Sequence, residues 1–430
     1  MKAVEKRKPL VSVIIPAYNA EKTICETLDS VFSQSYKALQ VIVIDDASTD
    51  NTLEIIQSYE DPRLEILAWG TNVQLVAARN AGMGRVKGEY VAFLDSDDIW
   101  KQDKIEKQVA FLERERAYGA CFTWSEIIDE SGRPYAPDDP DVLWHYHAFH
   151  EGNRSYRDWF LRFLTDGNFL CLSSSLIRAD VIRHIGGQNL SLLQLQDFEY
   201  WIRVLSYSPI YILCEELVSY RRLKKGTSLS SYSTDTRNRT MNEDVYICTH
   251  FFEHLSNERF ASLFQDLFCN QNSSTPEELA CEKAFLLKKA YCGREAFLVN
   301  IQRLLSCDET AEVLSGRFGY TPKNFYQANT QPRQFAQAIL YQFQDNEKKR
   351  EEELNRQIEE NRNLRKIISE CREKEDVLKT SLAESEGECR RIQSEENQYL
   401  NELTAIKASR SWRLVQFFAR IFRPFIPAGQ

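Results

Sequence analysis

Through the first half of the chain, short apolar runs alternate with stretches whose apolar residues recur at helical spacing. Residues 11–15, Val-Ser-Val-Ile-Ile, end at Pro16, as a buried strand does. Over 21–34, Ile24, Leu28, Val31 and Phe32 fall on one helical face. Residues 41–44 are apolar throughout, which predicts a parallel strand covered on both sides. Asn51 and Glu54 predict a capping box at the start of the next helix. Further strands are predicted at 63–68, 89–94 and 120–127, with helices at 73–86 and 101–116. Strands at 172–177, 210–213 and 217–220 and a helix at 198–205 follow, then a serine-rich polar loop at 224–233. This β-α-β-α order predicts an α/β domain over 1–233, built on a doubly wound, mostly parallel sheet.

The pattern then changes twice. Residues 234–345 read as a helical region, in which the spacing of Phe251, Phe252, Phe260 and Phe264 predicts helix packing rather than a cofactor box. Over 346–407 Glu, Lys, Arg and Asn dominate, and Leu378, Leu382, Cys389, Ile392, Tyr399, Leu403 and Ile406 lie close to a heptad seam. A coiled coil and self-association are expected there, a solvated single helix being the plainer reading. In the tail, 408–430, Arg413, Gln416, Arg420 and Arg423 share one helical face, and Leu414, Phe418, Ile421, Phe422 and Phe425 share the other. Such a helix suits a membrane interface, or packs its apolar face on the protein's own helices.

Composition narrows the class. At 430 residues the chain is too long for one ordinary domain, and 43% hydrophobic with 12% aromatic residues supplies a core. A net charge of -9 argues against general nucleic-acid binding. The 11 cysteines form no C-x-x-C pair, and the charged start has no apolar stretch behind it, so reduced thiols in the cytoplasm are expected. No apolar run reaches membrane-spanning length.

The chemistry concentrates where strands end. Asp95 and Asp97 are two residues apart, so in extended chain both carboxylates point one way, with Asp98 adding a third charge. Close carboxylates repel unless a cation neutralises them, and hard oxygen ligands suit Mg²⁺ or Mn²⁺. The plainer reading is a capped turn. Asp45 and Asp46 end the second strand, placed for nucleotide hydroxyls or a base, although Asp and Ser also favour turns. Arg79 is a candidate phosphate or base contact. Gly82-Met83-Gly84 follows a helix rather than a strand, which rules it out as a dinucleotide fingerprint. His145, His147 and His150 lack the context of a zinc site.

Taken together, V-S-V-I-I-P-A-Y-N, I-D-D-A-S-T-D, A-A-R-N-A-G and F-L-D-S-D-D resemble the family 2 inverting glycosyltransferases of GT-A fold, over roughly residues 9–230. The resemblance implies that Pro16, Ala17 and Tyr18 border the nucleotide. Asp45 and Asp46, with Arg79 beside them, would recognise it, Asp46 facing the base. Asp95 and Asp97 would form the D-x-D motif holding Mn²⁺ or Mg²⁺, with Ser96 between them at the donor. It implies a general base at Asp197, where this chain has Gln196 in place of the usual Glu. Glu199 is the weaker alternative, and an N-cap is the plainer reading of Asp197. Ser173, Ser174, Ser175, Gly186 and Gly187 would shape the acceptor side, and the segment from Tyr220 to Ser230 would close over the donor. Ser409-Arg410-Ser411-Trp412-Arg413-Leu414 resembles tails of bacterial surface-polysaccharide glycosyltransferases. The implied function is inverting transfer from a nucleotide-sugar, UDP-linked first of all, to a glycan or lipid-linked acceptor at the inner face of the membrane, in surface-glycan synthesis. A coiled-coil membrane scaffold with a vestigial sugar-nucleotide domain is the alternative. A nucleotidyltransferase would want a Gly- and Arg-rich loop after the first strand, where Pro16-Ala17-Tyr18-Asn19-Ala20 stands.

Overall fold

The computed structural model describes residues 7–223, 233–330 and 407–421, with 354, 356, 357, 404 and 405. The expected heptad positions 378–406 and the tail beyond 421 lie outside the described residues. The chain divides into two compact units, Met1–Ala338 and Ile339–Gln430.

In the first unit the chain runs β1 (Val11–Ala17), α1 (Ile24–Phe32), β2 (Leu39–Asp45), α2 (Thr52–Gln57), β3 (Leu64–Ala68), α3 (Leu75–Met83) and β4 (Tyr90–Phe93). Then come β5 (Ile99–Trp100), α4 (Lys104–Arg114), β6 (Ala120–Ile128), α5 (Leu143–Phe149), α6 (Tyr156–Asp166), β7 (Leu176–Arg178), α7 (Ala179–Ile185), α8 (Gln196–Tyr207) and β8 (Ile210–Arg221). They form one eight-stranded sheet in the order β3-β2-β1-β4-β7-β6-β8-β5. Strands β3, β2, β1 and β4 are parallel, which puts their carboxyl ends on one edge. The other half is mixed: β7 runs antiparallel to both β4 and β6, and β5 antiparallel to β8. This is a GT-A-type α/β sheet with helices on both faces.

The central strands follow their sequence pattern. Val11, Val13 and Ile15 of β1 pack with Leu28 and Val31 of α1, while Ile14 joins Ile42, Ile44 and Phe93 on the opposite face, as period-two alternation requires. Three expectations fail locally. The strand expected at 172–177 is a 3-10 turn, Leu172–Ser174, before the short β7. Those expected at 210–213 and 217–220 are one strand, β8, which passes the charged stretch Glu215-Glu216 through register shifts opposite Thr123–Ser125. The capping box of Asn51 does not form: its amide donates to Glu21 at 2.9 Å, and Asp50 instead accepts the Thr52 N–H at 3.0 Å.

Ser233 starts α9 (Thr234–His250) by accepting the Thr236 N–H. Helices α10 (Asn257–Phe264), α11 (Pro276–Leu286), α12 (Gly293–Leu305), α13 (Asp308–Phe318) and α14 (Pro322–Ala328) follow. Ile247, Phe251, Phe260 and Phe264 join the same buried cluster as Phe160, Phe198 and Trp201. These phenylalanines are thus packing residues that continue the core over α6 and α8, while Phe297 lies in a separate cluster with Ile301 and Leu314. In the second unit, α15 (Arg410–Ile421) is helical as expected for the tail, with Trp412, Leu414 and Phe417 exposed. Among the described residues no helix is long and apolar enough to cross a membrane.

Candidate active site

The parallel strands β1, β2 and β4 deliver Ala17, Asp45 and the turn 95–98 to one edge, where an open α/β sheet forms its crevice. Pro16 and Ala17 are buried as the last two residues of β1, and Tyr18 projects, 49% exposed. Asp45 is buried; its Oδ2 accepts the Ser48 N–H at 3.2 Å, and its Oδ1 has no partner among the described residues. Asp46 is buried too, and its two oxygens take the Val73 and Gln74 N–H groups at 2.7 and 2.9 Å. The carboxylate expected to face a base therefore also fixes the loop that leads into α3. Ala47 and Gln74 adopt positive φ, 61° and 78°, unusual for residues with a side chain.

The turn after β4 is held from several elements. Thr23 and Thr27 of the α1 segment donate to the carbonyls of Ser96 and Asp98, each at 2.9 Å. Asp98 is fully buried: Oδ2 accepts from Ser173 Oγ and Oδ1 from the Arg221 N–H at 2.9 Å. Arg221 Nε also donates to the Asp97 carbonyl at 2.8 Å. Asp98 thus braces the turn, while Asp95 and Asp97 beside it are only partly buried. Asp95 forms a 2.5 Å ion pair with Arg79, whose side chain is buried on α3. Burial, then the neighbouring Asp95 charge, pushes the Asp97 carboxyl up to about 7.

Asp197 lies in the first turn of α8 rather than at its N-cap, which is Leu195. Its Oδ1 accepts the Phe198 N–H at 2.8 Å and its Oδ2 accepts from Asn168 Nδ2 at 2.9 Å. Loss of hydration raises it to about 6, against the opposing pull of these bonds and of the Arg79 charge. The Gln196 amide is satisfied when its oxygen accepts from Arg79 Nη1 at 3.0 Å and its nitrogen donates to the Leu193 carbonyl at 2.8 Å. Arg79 therefore joins the Asp95 turn to the start of α8. Glu199 is committed to Arg203, 2.7 Å away, and Arg203 holds the carbonyls of Ile185 and Gly187 at 2.8 Å each. Gly187 is required sterically: a Cβ there would meet Asn80 Oδ1 at 2.8 Å. Ser173, Ser174 and Ser175 are buried and line no open acceptor surface: Ser173 Oγ accepts the Asp95 N–H at 3.1 Å, and Ser174 and Ser175 donate to the carbonyls of Cys171 and Leu172, each at 2.7 Å. Gly82 packs α3 onto the sheet, with no room for a Cβ beside Ile14. His150 bonds Glu216 at 2.8 Å, and His145 stacks on Tyr220 next to Arg222.

Asn168, Thr23 and Thr27 carry no motif and escape a linear reading, since each acts across at least 29 residues of sequence, and Arg221 stands out in the sequence only as part of the segment from Tyr220, not as a brace of the turn. The only local hint is Gly167, at φ 82°, which ends α6 and turns Asn168 toward Asp197.

A family model described as Glycosyl transferase family 2 matches residues 12–179, which include Asp45, Asp46, Arg79, Asp95 and Asp97 and stop short of Asp197. The Bacillus subtilis protein TuaG, named for teichuronic acid biosynthesis, is 46% identical over 129 residues, 30% of this chain and 51% of its own. An Escherichia coli protein, the UDP-Glc:alpha-D-GlcNAc-diphosphoundecaprenol beta-1,3-glucosyltransferase WfaP, is 43% identical over 121 residues, 28% of this chain and 47% of its own. The chain thus spans about half the length of these two relatives. An uncharacterized glycosyltransferase of Haemophilus influenzae is 32% identical over 240 residues, 54% of this chain and 71% of its own. With its strand-end motifs inside the family match and a relative aligned over most of its length, the chain belongs to glycosyl transferase family 2.

Proposed function

We propose that this crevice transfers a sugar, with inversion, from a nucleotide-diphosphate donor to an acceptor hydroxyl in the synthesis of a surface polysaccharide or glycoconjugate. One observation carries the reading: Arg79 binds Asp95 directly and the first turn of α8 through Gln196, so the donor-side carboxylates and Asp197 share one crevice. The relative named as using UDP-Glc and a diphosphoundecaprenol-linked acceptor supports a UDP-sugar and a lipid-linked acceptor here.

The residues fit a divalent cation. Asp97, pushed up to about 7 beside Asp95 in poor hydration, is a carboxylate short of positive charge. Among the described residues no three His, Cys, Asp or Glu side chains converge as a complete metal cage. Mg²⁺ or Mn²⁺ at a nucleotide site commonly takes one or two carboxylates, with phosphate oxygens and water completing the shell. Asp95 and Asp97 would hold it, and it would offset the charge of the diphosphate as the nucleotide leaves.

The chain's own groups do the rest. Pro16, Ala17 and Tyr18 border the nucleotide, and the unpartnered Oδ1 of Asp45 is free to accept from it. Asp46 keeps the adjoining loop in place. The Asp197 carboxylate takes the proton from the acceptor hydroxyl as its oxygen attacks the anomeric carbon. The bond from that carbon to the diphosphate breaks on the opposite face, so one displacement inverts the centre. Titrating UDP into the protein with Mn²⁺ and with EDTA tests the donor side: Asp97→Asn should lose the metal-dependent part of binding. Asp197→Asn should keep that binding and lose roughly 10²–10⁴-fold in transfer. Near-normal transfer by Asp197→Asn would remove it as the base.

A further inference from the structure

We infer that the helical region after the sheet positions the general base, and that Glu243 of α9 is the positioning residue. The inference rests on the reading of Asp197 given above. Helix α8 begins at Gln196 and its N-cap, Leu195, has no side chain able to accept a hydrogen bond, so the N–H of Leu195 and those of the segment leading into the helix need an acceptor from elsewhere. Glu243 provides it. Its carboxylate is buried and accepts three successive backbone N–H groups, Leu193 at Oε1 and Gln194 and Leu195 at Oε2, each at 2.8 Å. Charge-assisted bonds of this kind are short and directional, and three on one carboxylate fix the chain's path. Two residues further on stands Asp197.

The same region reaches the other side of the base. Tyr291, just before α12, packs on Gly167 and donates its hydroxyl proton to Asp244 of α9, while its backbone N–H donates to the Leu164 carbonyl at 3.1 Å. Gly167 sets the direction of Asn168, whose amide holds Asp197 Oδ2. Both supports of the base therefore run back to α9, and they meet the donor side of the crevice only indirectly, where Gln196 bonds Arg79, the partner of Asp95. A base displaced by about 1 Å is enough to cost roughly 10²-fold in rate.

Three measurements on the full chain separate this from a general structural role. Glu243→Ala should lower kcat for UDP release from UDP-glucose in Mn²⁺, with water as acceptor, by roughly 10- to 100-fold. Its Kd for UDP should stay within about twofold, and Glu243→Gln, which keeps an acceptor oxygen, should recover part of the rate. In the Asp197→Asn background Glu243→Ala should cost nothing further, because a residue that acts only through Asp197 is non-additive with it. Additive losses, or UDP binding that weakens in step with kcat, would overturn the proposal. Amide hydrogen exchange decides the matter even if no UDP-sugar is turned over: Glu243→Ala should speed exchange at 193–198 at least about tenfold and leave β2 unchanged. Unchanged exchange at 193–198 overturns the positioning role. Absent turnover with the expected exchange change counts against the functional reading alone.

Discussion

Burial lifts the Asp197 carboxyl to about 6, and that places the acid limb of the reaction. Below that pH the group is protonated and cannot take a proton; above it the carboxylate is available. The rate should therefore rise through about pH 6 to a plateau. Asn168 sharpens the prediction. Its amide donates to the charged form at 2.9 Å, so Asn168→Ala removes a bond that favours ionisation. A hydrogen bond to a charged group is worth about 1.5 kcal/mol and one pH unit corresponds to about 1.36 kcal/mol, so the limb should move up by roughly one unit. Arg79 and Asp95, the other charges that face Asp197, stay in place in that variant. A pH profile of kcat/KM on wild type and variant checks it, and an unmoved limb would separate Asn168 from the base.

At the scale of elements, the close fit of α3 to the sheet explains why its glycine is not a nucleotide fingerprint. A Cβ on Gly82 would lie 2.6 Å from Ile14 Cγ2 and 3.0 Å from Ile44 Cδ1. Ile14 is on β1, paired on both sides by β2 and β4, and cannot yield. Gly82→Ala gains up to about 1 kcal/mol of helix propensity. Overpacking of this kind costs about 1–3 kcal/mol, so net destabilisation is expected, visible as a lower midpoint in urea with unchanged slope. Strands β1, β2 and β4 were legible because continuous apolar runs with strand-end carboxylates have few other readings. Strand β8 was legible only as two pieces, since Glu215 and Glu216 break its pattern at the irregular register. The helix at 52–57 was legible but its cap was not: Asn51 and Glu54 satisfy the local rule, yet Glu21, 30 residues away, takes the Asn51 amide. The candidate site divides the same way. Asp45, Asp46, Asp95 and Asp97 announce themselves in motifs, whereas Asn168 and Glu243 matter only because folding brings α6, α8 and α9 together.

For the whole molecule, the first unit holds the crevice and its supports, and α15 lies in the second. That helix exposes Trp412, Leu414 and Phe417, and its sequence adds Arg410, Arg413 and Arg420. Apolar side chains with arginines beside them suit an interface of acyl chains and anionic headgroups. Each arginine near such a surface contributes about 1 kcal/mol, screened by salt. Binding to a surface would hold the chain where the proposed lipid-linked acceptor lies. The full chain should therefore float with vesicles of phosphatidylglycerol and phosphatidylcholine, float less at high salt, and fail to float with phosphatidylcholine alone. Deleting 408–430 should abolish flotation and leave UDP binding in Mn²⁺ unchanged, because no donor-side residue lies in the tail. Flotation that survives the deletion would assign membrane binding to another surface. A full chain that never floats would leave the apolar face of α15 to packing against protein, the other reading of its pattern.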